Sequence, residues 1–351
     1  MIPAARPAPS AGAGTCTGSG TGTGYAPCHH GEILQGVFLD GDGRRCAGLV
    51  TLPMAGPGSG ARFVRAPGTP AEEVTVVPAG RKKAAHAAAL AVAACAERTG
   101  QPPCGGELRL TGDIPVGLGM GSSTSDVIAA VRAVADAYGL RLTPETVARL
   151  AVRAELACDP LMLDGGPVLF AQREGRVLEV LGPSLPPLVV VGCVLGGGAP
   201  VDTLTLPAYE PDDGDVRAYE LLRARLRRAV ATGDVGLLGR VATASARRGQ
   251  QVLGQPEFDS LTGIARRVGA AGVQIAHSGA VAGVLFDPAA PGVRHRVRGC
   301  LRALAAHGIP ATRTFTTVTT TKEPWNGPAH RGVDRPAGPD TSRRPARLPA
   351  L

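Results

Sequence analysis

A strand, a glycine-rich turn and a helix follow one another without interruption between residues 107 and 138. Residues 107–115 (ELRLTGDIP) alternate in polarity, as a half-buried strand does. Glycines then occupy every second position of 117–121, and four Ser or Thr residues follow at 122–125. The apolar residues after them recur at helical spacing on one face: Val127, Ile128, Val131, Val134, Ala135 and Tyr138. Any fold of this chain must accommodate this strand-loop-helix unit.

The glycine spacing alone is not specific, because the chain has 49 glycines in 351 residues and repeats the spacing at 18–24 and 56–60. The context of 117–121 distinguishes it. Glycines let the backbone approach a phosphate closely, and the helix that follows adds free N–H groups and a partial positive charge. We therefore predict an anion site here. A tight turn with an ordinary serine N-cap is the alternative.

Composition bounds the remaining possibilities. The chain is 44% hydrophobic but only 3% aromatic, which predicts a large core of Val, Leu, Ile and Ala. The net charge is +8, yet the basic residues are spread along the chain and only three are lysines (Lys82, Lys83, Lys322). Because few aromatic side chains are present to stack on bases, a nucleic-acid-binding module ranks low and no nucleic-acid partner is expected.

The eight cysteines include no Cys-x-x-Cys pair, so neither a zinc ribbon nor a thioredoxin-like site is indicated. In a chain of this size we expect them to be small buried groups in a reducing compartment. No apolar run approaches the roughly 20 residues that cross a bilayer, and the first residues lack the apolar stretch of a secretory signal. The sequence predicts a cytoplasmic protein without a membrane partner.

Strands and helices are mixed without strict alternation, which predicts an α+β fold of two lobes. Residues 1–24 consist almost entirely of small residues and proline, and residues 321–351 are rich in Pro and Arg, so both are predicted to be disordered. The lobes are predicted to span 25–185 and 186–320, with the boundary in the segment GPSLPP at 182–187.

Three familiar phosphate-binding patterns do not fit the loop. A Walker A motif requires a lysine, and none lies between Lys83 and Lys322. Protein kinases carry His-Arg-Asp and Asp-Phe-Gly, and both are absent. A dinucleotide-binding loop has the spacing Gly-x-Gly-x-x-Gly, whereas serines follow the glycines here.

Residues 115–126 (PVGLGMGSSTSD) instead closely resemble the second motif of the GHMP kinases, a family named after galactokinase, homoserine kinase, mevalonate kinase and phosphomevalonate kinase. The form GMGSSTSD also resembles the L-threonine kinase branch, which serves cobalamin side-chain assembly. The segments GEILQG (31–36), AHSG (276–279) and VAGVLFD (281–287) are similar to that branch's N-terminal and C-terminal motifs. The resemblance covers residues 25–320 in the expected order.

This resemblance implies a two-lobed GHMP kinase fold, with an N-terminal lobe like the second domain of the fifth ribosomal protein of the small subunit and a ferredoxin-like C-terminal lobe. It implies ATP and Mg²⁺ as cofactors. The ATP loop would comprise Pro115, Gly117, Leu118, Gly119, Met120, Gly121, Ser122, Ser123 and Thr124. Ser123 and Glu155 would ligate Mg²⁺; the alternative for Glu155 is an exposed helical residue paired with Arg149 or Arg153. Ser122 or Ser123 is also a candidate N-cap.

The acceptor residues implied by the resemblance are Glu32, Gln35, His277, Ser278 and Gly279. The alternative for Glu32 and Gln35 is a pair of surface polar residues beside a strand, and His277 is expected to position the third glycine motif rather than to transfer a proton.

Phosphoryl transfer to an alcohol can use a carboxylate that accepts the hydroxyl proton. By resemblance Asp159 is the first candidate and Asp164 the second, against the alternative that Asp159-Pro160 merely starts a turn. Many relatives have a lysine near the N-terminus; none precedes Lys82 here, so an arginine or Mg²⁺ is expected to carry that charge. His29 and His30 depart from the branch's pattern, and as adjacent residues they are unlikely joint metal ligands.

The predicted reaction is ATP-dependent phosphorylation of a small amino alcohol, with L-threonine giving O-phospho-L-threonine as the first choice. Homoserine, serine or a hydroxylated specialised metabolite are alternative acceptors, and an ATP-binding sensor without turnover is an alternative function. A monomer or homodimer is expected.

Overall fold

The computed structural model describes residues 20–198, 210–277 and 279–317. The first part comprises strands β1 (Thr21–Leu39), β2 (Arg45–Arg65), β3 (Val74–Val77) and β4 (Gly106–Gly112), with helices α1 (Lys82–Thr99), α2 (Ser122–Ala137) and α3 (Pro144–Glu155) and strands β5 (Val168–Ala171) and β6 (Arg176–Val180). The second part comprises β7 (Val189–Val194), α4 (Asp213–Thr232), α5 (Val235–Leu253), α6 (Phe258–Arg267), β8 (Gly272–Ile275), β9 (Val281–Phe286), α7 (Val293–Ala306) and β10 (Ala311–Thr316). The predicted α+β class is confirmed.

Ten strands form one sheet in the order β10-β7-β9-β8-β1-β2-β4-β3, with β5 paired to β2 and β6 to β5. All pairs are antiparallel except β3 with β4. The long strand β1 joins the two parts of the chain, since it pairs with β2 on one side and with β8 on the other through Glu32 and Ile275. Glu32 therefore lies where the two parts of the sheet meet.

Two apolar clusters hold helices against this sheet. One contains Phe63, Leu108 and Phe170 with the buried faces of α1, α2 and α3. The other contains Leu34 and Leu188 with residues of α4 and α5. Both are built mainly from aliphatic side chains, as the composition predicts. Local signals fix the helix ends: α3 begins after Thr143, whose side chain accepts a hydrogen bond from the N–H of Thr146, with proline at the first position.

Strand β1 begins at Thr21, so residues 21–24 do not belong to a disordered segment as the sequence predicted. The reason is the close packing of α2, which leaves no room for side chains on the glycines of this strand. A Cβ on Gly22 would lie 2.2 Å from the Ala137 nitrogen, and one on Gly24 would lie 2.2 Å from the Ala129 oxygen. Glycine is therefore required here for packing rather than for flexibility. Residues 1–19 and 318–351 lie outside the described residues, and the proposed lobe boundary stays a prediction.

The cysteine prediction holds in part. Cys28, Cys46, Cys95, Cys158, Cys193 and Cys300 are free and buried, which fits small apolar groups. Cys104 is also buried but is disulfide-bonded, so the expectation of eight reduced cysteines is wrong at this position. Across the described ranges, no helix has both the length and the apolar character that a membrane span requires.

Candidate active site

The loop between β4 and α2 has the backbone that its glycines predict. Gly117, Gly119 and Gly121 all have φ between +71° and +84°, the left-handed region that side chains disfavour. Gly121 is the N-cap of α2 in this conformation, and no side chain caps the helix. The expectation that Ser122 or Ser123 forms the cap is therefore wrong, because a left-handed glycine already makes the turn into the helix.

The loop directs its carbonyl groups toward protein and leaves its amides unpaired. The Leu118 oxygen accepts a hydrogen bond from the N–H of Val281 (2.8 Å), and the Met120 oxygen accepts one from the N–H of His29 (3.3 Å). Within the described part of the chain, no backbone N–H of residues 119–124 donates to a protein acceptor. Six free donors at a helix N-terminus form an arrangement that binds phosphate groups.

The hairpin between β8 and β9 packs directly on this loop. A Cβ on Gly279 would lie 2.2 Å from the Gly119 nitrogen, and a Cβ on Gly119 would lie 2.4 Å from the Cβ of Ala276. Gly279, predicted from the resemblance as an acceptor residue, is thus placed against the phosphate loop. Ser278 lies outside the described residues.

Glu155 connects the C-terminus of α3 with the first turn of α2. Ser123 Oγ donates to Glu155 Oε2 (2.8 Å), and Thr124 Oγ1 donates to Glu155 Oε1 (2.7 Å). Burial raises the pKa of the Glu155 carboxyl to about 7, while the two hydroxyl hydrogen bonds and the charge of Lys83 act in the opposite direction. No arginine pairs with Glu155 in the described part of the chain, so the alternative of a surface ion pair is not what the structure shows.

This pair of groups fits a divalent cation. Hard cations such as Mg²⁺ prefer carboxylate and hydroxyl oxygens together with phosphates. The carboxylate of Glu155 and the hydroxyl of Ser123 are already within hydrogen-bond distance of each other at the edge of the phosphate loop. The two predicted magnesium ligands are therefore brought together.

A cleft opens on the other side of the α2 N-terminus. Asp126 is held there by an ion pair with Arg81 (3.0 Å) and by a hydrogen bond from Ser59 Oγ. The remaining lining residues are Pro78, Leu110, Thr111, Gly112, Ile114 and Ser122. Pro115, the first residue of the predicted loop, follows Ile114 directly and is exposed. The cleft is small, about 60 Å³, and its walls combine the Arg81–Asp126 ion pair with the apolar side chains of Leu110 and Ile114.

A buried cluster of charged groups lies on the other face of the loop. His29 Nε2 is 3.1 Å from Asp159 Oδ2, and His29 Nδ1 is 3.1 Å from the Gly31 oxygen and 3.9 Å from Glu32 Oε1. Glu32 Oε2 also accepts a hydrogen bond from the backbone N–H of His277 (2.9 Å). Glu32 and His29 are buried, whereas the Asp159 side chain remains 18% exposed. Asp159 is thus the member of this cluster that a substrate can reach.

The electrostatics of the cluster follow from burial and neighbouring charges. Burial raises the pKa of Glu32 to about 7, although His29 acts to lower it. Burial alone would lower the pKa of His29, but the nearby charges of Asp159 and Glu32 and the hydrogen bond to Asp159 raise it to about 9. His29 therefore carries the positive charge of this cluster at neutral pH.

Other predicted residues are placed differently. Gln35 is half-buried, and its backbone N–H donates a hydrogen bond to Ser245 Oγ of α5 (3.0 Å). Gln35 and Glu32 both lie in strand β1. Asp164 is exposed and makes no hydrogen bond or ion pair among the described residues, unlike Asp159. The ring nitrogen Nε2 of His277 is buried without a hydrogen bond, and burial lowers the pKa of this side chain to about 4.

Sequence reasoning missed one contact of Thr124 and the place of His29 in the site. Thr124 was predicted only as part of the phosphate loop, yet it also holds Glu155. His29 was noted only as a departure from the pattern, yet it contacts Asp159, 130 residues further along the chain. No local pattern around His29 indicates this contact, because the two residues lie in separate elements of the chain.

Parts of this sequence are similar to those of known proteins. The model of the GHMP kinases N terminal domain matches residues 84–164. An L-threonine kinase from Citrobacter freundii is 27% identical over 177 residues, which cover 50% of this chain and 60% of that protein. A homoserine kinase from Moorella thermoacetica is 30% identical over 214 residues, which cover 58% of this chain and 69% of that protein. The chain belongs to the GHMP kinase family.

The fold agrees with this membership. The crystal structure of a homoserine kinase from Cytophaga hutchinsonii superposes with a TM-score of 0.61 at 17% identity, covering 85% of this GHMP kinase chain and 95% of that one. The alignment with the Citrobacter protein spans about three-fifths of its length. The predicted family and its α+β fold are therefore confirmed, and the activity is a separate question.

Replacing Glu155 with glutamine tests the cation site of this GHMP kinase. We expect the Mg²⁺ concentration needed for half-maximal activity to rise at least about tenfold, because Glu155 is the carboxylate that contacts Ser123 Oγ among the described residues. Mg²⁺ titrations at saturating ATP measure this. Glu145→Gln, at the exposed start of the same helix, is the matched control and should leave the Mg²⁺ requirement unchanged. Equal Mg²⁺ requirements in both variants would remove Glu155 from the cation site.

Proposed function

We propose that this protein transfers the γ-phosphoryl group of ATP to the hydroxyl group of a small amino alcohol, with L-threonine as the first-choice acceptor and O-phospho-L-threonine as the product. The observation that carries the proposal is the row of unpaired backbone N–H groups at residues 119–124, adjacent to the Ser123–Glu155 pair. Together they offer donors for phosphate oxygens and ligands for a cation at one helix N-terminus.

Within this site the residues of the chain have distinct roles. The loop amides bind and orient the phosphates, while Ser123 and Glu155 are the side chains that would hold Mg²⁺. When bound, Mg²⁺ neutralises charge on the phosphates. Asp159 lies near Glu155, because its backbone N–H contacts Thr124 Oγ1 (3.5 Å), the hydroxyl that holds Glu155. Its partly exposed carboxylate accepts the proton of the acceptor hydroxyl. As that proton moves, the hydroxyl oxygen bonds to the γ-phosphorus and the bond to the leaving ADP oxygen breaks.

The acceptor assignment rests on the residues beside Asp159 and on the relatives. Asp159 offers the accessible carboxylate of this cluster to an amino alcohol, whereas Glu32 is buried beside it and faces His29 and the N–H of His277. The Citrobacter relative is named an L-threonine kinase and the Moorella relative a homoserine kinase. These names support an amino-acid alcohol as the substrate class. Homoserine, serine and a hydroxylated specialised metabolite are the competing acceptors within it.

An acceptor panel tests the proposal directly. The full chain is incubated with ATP labelled at the γ-phosphate, Mg²⁺ and, separately, L-threonine, L-homoserine, L-serine and mevalonate. We expect labelled product from the amino alcohols, with the highest kcat/KM for L-threonine, and none from mevalonate.

Each other outcome has a defined meaning. A higher kcat/KM for homoserine or serine would overturn the threonine assignment and keep the reaction class. ATP binding by calorimetry with no labelled product from any acceptor would overturn the kinase assignment in favour of an ATP-binding sensor.

A further inference from the structure

The ring of His29 is held on both of its nitrogens by groups that can only accept hydrogen bonds. Nδ1 faces the Gly31 carbonyl oxygen and Nε2 faces an oxygen of the Asp159 carboxylate, each at 3.1 Å. A neutral imidazole has one N–H, whereas these two contacts require two donors. With Asp159 ionised, as its proposed role demands, the geometry is satisfied only by the imidazolium cation.

The position of the ring is fixed by the phosphate loop itself. A Cβ on Gly121 would lie 2.5 Å from Cδ2 and 2.6 Å from Nε2 of His29, so the ring occupies the space that a side chain at this glycine would fill. The backbone N–H of His29 also donates to the Met120 oxygen (3.3 Å). His29 therefore ties the backbone of the phosphate loop to the carboxylate of Asp159.

We propose that His29 is a positioning residue, whose cationic ring orients the Asp159 carboxylate and supplies the positive charge beside it during phosphoryl transfer. This inference rests on the proposed function. Asp159 Oδ2 is occupied by His29, which leaves Oδ1 to accept the proton of the acceptor hydroxyl. The proton on His29 Nε2 is not transferred. Among the residues that the structure describes, no arginine or lysine forms an ion pair with Asp159, so His29 is the cation in contact with it.

The charges around His29 agree with this role. Asp159 and Glu32 face the ring and raise its pKa to about 9, against the effect of burial. His30, the next residue, has its pKa lowered to about 4 by burial and by the charge of His29. Glu155 lies beyond Asp159 and interacts with it electrostatically. The two adjacent histidines are each 1% exposed, yet at neutral pH the ring of His29 is positively charged and the ring of His30 is neutral.

A metal ion is the competing occupant of this cluster. One ligand atom from each of His29, Glu32 and Asp159 lies within 4.8 Å of the others. Nε2 faces the Asp159 oxygen directly at 3.1 Å, a distance that suits a shared proton between the two atoms. The cluster is accordingly assigned as a proton-stabilised ion pair, and a metal at Nε2 is an outcome that the experiment below detects.

Nitrogen NMR of the full chain, labelled with ¹⁵N-histidine, tests the charge state without relying on activity. The His29 signals are assigned by their loss in His29→Gln. At pH 7.5 both ring nitrogens of His29 should have the chemical shifts of an imidazolium. Asp159→Asn should lower the pKa of His29 by at least about one unit, because it removes the negative charge that stabilises the imidazolium. A neutral His29 ring at pH 7.5, or a stoichiometric metal lost in His29→Gln, would overturn the inference.

Kinetics then test the role. We expect His29→Gln, which keeps a hydrogen-bond donor but not the charge, to lower kcat by about 100-fold while the KM for ATP stays within about threefold. In the Asp159→Asn background the same substitution should change kcat by less than about twofold, because His29 acts through Asp159. Additive losses in the double variant would show that His29 does not act through this carboxylate.

The pH profile distinguishes this role from a structural one. In the parent protein kcat should fall above about pH 9, where His29 loses its proton, and this basic limb should be absent in His29→Gln. His30→Gln is the matched control, because it removes an equally buried neighbouring ring and should retain the limb even if the protein is destabilised. If the acceptor panel yields no product, the proposed function fails while the NMR result on His29 still stands or falls on its own.

Discussion

Replacing Asp159 with asparagine is expected to lower kcat by about a thousandfold, within the range that removal of a general base produces. The amide keeps the size of the side chain but cannot accept the proton of the acceptor hydroxyl. ATP affinity should stay nearly unchanged, because in the proposed site the amides of residues 119–124 bind the phosphates and this side chain does not. Single-turnover rates with γ-labelled ATP, together with calorimetric ATP titrations, measure the two quantities separately.

Asp164→Asn is the matched control for this experiment. Asp164 lies five residues further on, is exposed and makes no ion pair in the part of the chain described. Its substitution should alter kcat by no more than about twofold, as for other exposed positions remote from the chemistry. Full activity in Asp159→Asn, or an equal loss in both variants, would show that the proton is accepted elsewhere.

Valine at Gly22 is expected to have the largest effect on stability. The new Cβ would lie 2.2 Å from the Ala137 nitrogen and 2.3 Å from the Ala133 oxygen, both in the backbone of α2. A helix backbone cannot yield as a side chain can, so the free energy of unfolding should fall by about 3 kcal/mol or more. The corresponding decrease in Tm is about 4 °C or more for a chain of this size. Thermal and urea unfolding monitored by circular dichroism provide both values.

Gly41→Val serves as the comparison for Gly22→Val. Gly41 lies in the exposed turn between β1 and β2, and a Cβ there would have no atom within 4 Å. The same chemical change should therefore shift Tm by no more than about 2 °C. Comparable destabilisation of both variants would mean that the packing of β1 against α2 is not what requires glycine.

The strand and the helix on either side of the glycine loop could be predicted from local patterns. The alternation over residues 107–115 and the periodicity after residue 122 correspond to β4 and α2. The first strand could not be predicted, because its glycines and polar residues look unlike a strand. These residues form a strand only when α2 packs against the glycines and when β2 and β8 pair with β1 on its two sides. The contacts with α2 and β8 join residues more than 100 positions apart, which no local pattern records.

The candidate site, like the fold, has parts that the local sequence predicts and parts that it does not. The backbone of the glycine loop was predictable because its glycines and serines are contiguous and each has a local physical reason, whereas its binding of phosphate stays a prediction. The Ser123–Glu155 pair followed from the family resemblance, and the structure brings the two residues together. The contact between His29 and Asp159 had no local signal, since it joins β1 to the turn after α3. Histidine side chains in a sequence give no indication of which carboxylate they will meet.

The phosphate loop is fastened from two directions, by the N–H of His29 in β1 and by the N–H of Val281 in β9. Both attachments use loop carbonyls, so neither competes with an incoming nucleotide for a donor. If the proposed nucleotide binds here, these hydrogen bonds hold the loop in place before it arrives, which lowers the conformational entropy that binding costs. Substitutions of the side chains along β1 would then change the acceptor alcohol without changing the glycine loop proposed to bind the donor nucleotide.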